Sequence, residues 1–218
     1  MTNESLVMDQ PPVLRFFAKV ISYIFHPLFI TLYVTWFIAF IHPAYFAGVS
    51  THEKGYVLIR VAYIMIFFPV ITVLLSKQLG FIKSFFLNTQ QDRIIPYIAS
   101  GIYFFWMYLV FKNDENIPSI LTGFILGVFL SSSAALIANI YYKISMHAIG
   151  MGGMLGVFLV IMQQNTMLMT GPISFALLIT GLVCTSRMIL NHHSSKDIYM
   201  GLLLGLFFQF IAALVVMS

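Results

Sequence analysis

Apolar runs long enough to cross a bilayer alternate along this chain with short polar connectors. A helix needs roughly 17 to 25 apolar residues to traverse the hydrocarbon core. Seven runs of about that length are present, at residues 13–41, 56–75, 94–111, 117–138, 148–162, 172–190 and 198–217. The fifth is short, and its tail, Gln163-Gln164-Asn165-Thr166, reads as a loop; a re-entrant path there or at His26-Pro27 would reduce the count to six. Pro96, Pro118 and Pro172 stand near the predicted helix starts, where a missing backbone donor costs little. The pattern predicts an all-α, polytopic transmembrane helical bundle of about seven spans. Residues 1–218 would form a single integral membrane domain, with 1–12 as a polar amino-terminal tail.

Composition agrees with this reading. Charged residues are 8% of the 218, against about a quarter in soluble domains, so there is too little polar surface to cover a water-soluble globule. The formal charge of +4 is spread along the chain without a basic run, which fits residues flanking a membrane and gives no support for a nucleic-acid partner. Cys184, the one cysteine, lies in an apolar segment and reads as a packing residue. The apolar stretch after Pro11-Pro12 lacks a small-residue cleavage pattern, so no removable signal peptide is expected. Glycines at four-residue spacing, Gly123/Gly127, Gly152/Gly156 and Gly201/Gly205, would let helix backbones approach closely, within the bundle rather than between copies.

Seven spans bring the connectors after the second, fourth and sixth to the side of the amino terminus. These connectors carry KSFFLNTQQDRIIP (83–96), YYKISMHAIGMGG (141–153) and SRMILNHHSSKDIYMG (186–201). Ionisable groups near bilayer depth are functional candidates, although an isolated Arg or His there usually only snorkels to the headgroups. His193 and Asp197 are four apart, so on one helical turn Asp197 could accept the His193 Nδ1 proton and leave Nε2 free. The planar fork of Arg187 suits bidentate binding of a phosphate or carboxylate. His26 and His42, beside prolines, are explained by helix kinks, and Arg60 by snorkelling.

The order Ser186-Arg187, five residues, His193, three residues, Asp197 is SRxxxxxHxxxD without a mismatch. At this point the chain resembles the type 2 phosphatidic acid phosphatase superfamily of membrane lipid phosphatases and their relatives. That superfamily's other motifs are PSGH and KxxxxxxRP. In Ile144-Ser145-Met146-His147 the Ser and His positions match, while Ile144 and Met146 replace the Pro and Gly. Arg93 is followed by Pro96 rather than by an adjacent proline, and the nearest upstream lysine, Lys83, is ten residues away.

The resemblance implies His193 as a nucleophile forming a phosphohistidine, oriented by Asp197, with His147 as acid and then base. It implies phosphate binding by Arg187, Arg93, Ser145, Lys143 and Ser186, with no cofactor and no metal. The expected partners are a membrane lipid phosphate or diphosphate and the bilayer itself. Met146 in place of glycine removes a close backbone approach, which Gly150, Gly152 and Gly153 would have to supply instead. His192 has no place in the pattern and reads as an interfacial residue. A zinc site from His147, His193 and Asp197 is an alternative without an HExxH or cysteine cluster behind it. Two further readings stay open: a non-catalytic divergent member that binds a lipid headgroup or serves as a scaffold subunit, and phosphotransfer to another acceptor. Of the eleven Lys and Arg, eight fall on the amino-terminal side and three opposite, or five against three without Arg93, Lys143 and Arg187. That bias points the site to the cytoplasm, in a bacterial cytoplasmic membrane, whereas bacterial members of the superfamily generally face outward.

Overall fold

The computed structural model describes residues 10–83, 89–141, 144–191 and 193–217, and among these the chain is helical with no strand. Helix α1 (Pro12–Ile24) meets α2 (Pro27–Trp36), prolonged by a π-helical turn (Phe37–Ile41), at a bend of 55°. Helices α3 (Thr51–Ala62) and α4 (Phe68–Gln78) run on through a second π-helical turn (Tyr63–Phe67) as one span. They are followed by α5 (Gln90–Lys112), α6 (Ser119–Ala138), α7 (Met146–Gln163), α8 (Thr170–Ile189) and α9 (Ser195–Met217). Among the described residues, six spans are long and apolar enough to cross a membrane, and the bent α1–α2 pair makes seven if it counts as one. The chain is a polytopic α-helical membrane protein.

Local chemistry explains the irregularities. Pro69 has no N–H for the carbonyl a turn earlier, and the π-helical turn immediately before it re-spaces the hydrogen bonds. Ser50 and Glu53 start α3 with a reciprocal capping box. Helix α5 begins four residues earlier than its apolar run, so Pro96 sits at its seventh position rather than at its start. The extra turn is held by the Thr89 hydroxyl, which accepts from the Asp92 amide at 3.1 Å, while the Asp92 carboxylate accepts from the Lys83 amide at 2.9 Å. That added turn contains Arg93.

Helix α7 is the most buried span and packs on α9, α8, α2 and α6, while α9 lies against α7 and α6. The glycine spacing works here, inside the molecule. A Cβ on Gly152 would lie 2.2 Å from the Leu202 carbonyl oxygen, and one on Gly205 would lie 2.2 Å from that of Ile149. On the end away from the amino terminus, Arg60 Nη1 donates to Asp114 Oδ2 at 2.8 Å, with both side chains partly exposed. This bond holds the Asp114 carboxyl below its ordinary value. The pair therefore stabilises the fold above the unfolded aspartate pKa of about 3.9, and the contribution is lost as pH falls through the lower, folded value. Asp114→Asn is expected to cost less than about 1 kcal/mol at neutral pH. The difference from wild type should vanish in acid, as followed by thermal unfolding in detergent at both pH values.

Candidate active site at the amino-terminal membrane end

Ser145 caps α7, its Oγ accepting from the Ala148 amide at 3.4 Å, and this cap sets His147 on the first helical turn. The Ser145 amide itself donates to the Asp197 carbonyl at 3.4 Å, which ties the start of α7 to the start of α9. At that second start, Asp197 Oδ2 accepts from the Ser194 amide at 2.9 Å and the Asp197 amide donates to Ser194 Oγ at 3.3 Å. Asp197 thus serves a capping box, fixed within one turn of the half-buried His193. Arg187, buried in the last turn of α8, donates from Nη1 to Ser22 Oγ at 3.5 Å. Arg93 is buried in the first turn of α5.

These groups from separate connectors converge. His147 is within electrostatic range of Arg187, His26 and His193, and Arg93 is within range of both Arg187 and Asp197. Two buried guanidiniums share the site with one carboxylate among the described residues, an arrangement suited to a polyanion. His147 Nε2 lies 3.0 Å from the Ser22 carbonyl oxygen, and since a carbonyl can only accept, Nε2 carries the proton. Ser22, near the end of α1, therefore covers both His147 and Arg187.

The expected site residues differ in what their polar atoms do. Ser145 accepts at its cap and keeps its own hydroxyl proton for another acceptor. Ser186 donates its proton to the Leu182 carbonyl at 2.7 Å, so that hydroxyl is committed to its own helix and is not a donor to phosphate oxygens in this conformation. Lys143 and His192 lie outside the described residues. Among those described, no three His, Cys, Asp or Glu side chains are grouped as metal ligands.

Three residues join the cluster that the sequence reading did not place there. Ser22 and Tyr97 carry no motif signal, and the place of His26 beside Pro27 predicts only a kink. His26 stacks edge to face on His147 with ring centroids 5.4 Å apart. The signal for it was weak but present: an imidazole stands at a helix N-cap, where Asn, Asp or Ser is the usual choice. Beneath the cluster a largely apolar cavity of about 320 Å³ runs between α2, α4, α5, α6, α7 and α9. His26, Tyr97 and Met146 line it beside the polar cluster, and Phe104, Phe124 and Gln209 line it farther along their helices. Gln209 is twelve residues beyond Asp197 on α9, so this lining residue stands about 18 Å along the helix from Asp197 at a rise of about 1.5 Å per residue. No family model matches the chain, and neither does any curated protein or any solved structure.

Proposed function

We propose that the chain is a metal-independent phosphatase of membrane lipid phosphates or diphosphates, working through a phosphohistidine as in the type 2 phosphatidic acid phosphatases it resembles. One observation carries the reading: two buried arginines and two histidines from distant connectors meet at one membrane end, next to an apolar cavity that His26 and Tyr97 line. The headgroup phosphate binds between the guanidiniums of Arg93 and Arg187, with the Ser145 hydroxyl as a further donor, and the hydrocarbon tail enters the cavity.

His193 Nε2 attacks phosphorus with Asp197 steadying the ring, and the bond to the lipid oxygen breaks as that oxygen takes a proton from His147 Nε2. Water, deprotonated by His147, then cleaves the phosphorus–nitrogen bond and releases inorganic phosphate. The dianion supplies the counter-charge that a doubly protonated His147 needs beside Arg187. The lipid oxygen takes the position held by the Ser22 carbonyl, so substrate entry requires the last turn of α1 to yield, with the bend at Phe25–His26 as its joint. The Lys and Arg excess on the amino-terminal side supports a site facing the cytoplasm.

The direct test is release of inorganic phosphate from a panel of lipid phosphates by purified protein in detergent with chelator present; strong inhibition by the chelator would overturn metal independence. Ser100→Phe, which fills the cavity wall on α5, is expected to raise KM several-fold for long-chain substrates while sparing a short-chain phosphate ester. Equal effects on both would remove the tail from the cavity. A second reading is favoured by the Ser22 contact on His147 and the committed Ser186 hydroxyl: a non-catalytic chain that keeps the anion pocket as a headgroup-binding or scaffold subunit. Headgroup binding without turnover on any lipid phosphate would select it.

A further inference from the structure

The ring of His26 is more than its position in the backbone requires. Nδ1 accepts from the Leu28 amide at 3.4 Å, an N-cap bond that the shorter side chain of Asn or Ser makes better. An amide can only donate, so in the neutral ring Nδ1 is bare and the proton lies on Nε2. The ring also lies against His147, within electrostatic range of Arg187, and lines the apolar cavity. Helix capping accounts for Nδ1 and leaves the Nε2–H unexplained, on a ring that touches His147 of the polar cluster and also lines the apolar cavity.

We propose that His26 is a substrate-binding residue, outside the SRxxxxxHxxxD pattern, whose Nε2–H donates to a headgroup oxygen at the point where the phosphate passes into the hydrocarbon chain. The donor selects ligands with an oxygen next to the chain, as in a phosphate ester, over bare alkyl amphiphiles. This assignment rests on the phosphatase reading, and its test separates the two.

Two replacements in the full chain, purified in detergent, divide capping from binding. His26→Asn keeps the cap and has no polar atom near the former Nε2; His26→Gln carries an amide nitrogen close to that position. The expected result is a ten- to hundredfold loss of kcat/KM in His26→Asn, mostly in KM, with at least partial recovery in His26→Gln and thermal unfolding that is no worse for Asn. Wild-type rates in His26→Asn, or His26→Gln no better than His26→Asn, would overturn the assignment while the phosphatase reading stands. Should the wild type release no phosphate, binding of inorganic phosphate, followed by NMR of the imidazole resonances, decides the matter. Binding lost in His26→Asn and kept in His26→Gln supports His26 as an anion ligand without catalysis. Equal binding by all three proteins overturns it, and absence of binding in the wild type overturns both readings.

Discussion

His193→Ala is expected to reduce phosphate release from a lipid phosphate by about three orders of magnitude or more, because the covalent route loses the atom that attacks phosphorus. The loss should appear in kcat. Binding should survive, since the guanidiniums of Arg93 and Arg187, carried by α5 and α8, remain in the variant. Inorganic phosphate titrations of the variant should therefore resemble those of wild type. Rapid quenching of wild type with radiolabelled substrate should trap acid-labile, base-stable label on the protein, and His193→Ala should trap none. Retained turnover in the variant would remove His193 as nucleophile, and His147 would then be the imidazole to test next. His193 is half-buried on a bend before α9, so the variant is expected to fold as wild type does, and unchanged thermal unfolding would verify this.

Gly152→Ala and Gly205→Ala are expected to have the largest effect on stability, about 3 kcal/mol or more each, or to prevent accumulation of folded protein. In both cases the obstructing atoms are backbone. The added Cβ would meet the Leu202 or Ile149 carbonyl at 2.2 Å, and no side-chain rotation relieves that contact. The helices must separate, and the separation acts on the site as well. The tie from the Ser145 amide to the Asp197 carbonyl joins the two helix starts that carry His147 and His193. Gly101→Ala and Gly181→Ala are the controls: nothing lies within 4 Å of a Cβ at either position, and exchange of glycine for alanine in a helix gains up to about 1 kcal/mol. Thermal unfolding in micelles, with phosphate release measured in parallel, checks all four. A mild effect at Gly152 would mean that α7 and α9 pack less closely than described.

Much of the architecture was legible because it is written in local runs. Hydrocarbon thickness selects span length, so run length alone placed the helices within a few residues, and the polar tail after Met162 did end α7 near Gln163. The exceptions have local causes of another kind. Polar residues 90–93 gave no apolar signal, yet the Thr89 and Asp92 caps extend α5 through them and carry Arg93 into the protein. The first apolar run appeared as one span, but Pro27 after His26 breaks it into two helices at 55°. The glycine spacings were read for close packing inside the bundle, which the α7–α9 interface bears out.

By itself, then, the sequence determined the membrane class, the all-helical architecture and the stretch in which Ser186, Arg187, His193 and Asp197 lie close together, since each depends on run length or on spacing within a few turns. Tertiary structure alone decided that Ser22 covers His147 from 125 positions away, that His26 belongs to the cluster, and that one cavity is lined by both His26 and Gln209. Contacts between helices distant in the chain leave no periodic trace in one sequence. They follow from which faces pack, and that is settled by glycine notches and helix bends acting together across the whole bundle.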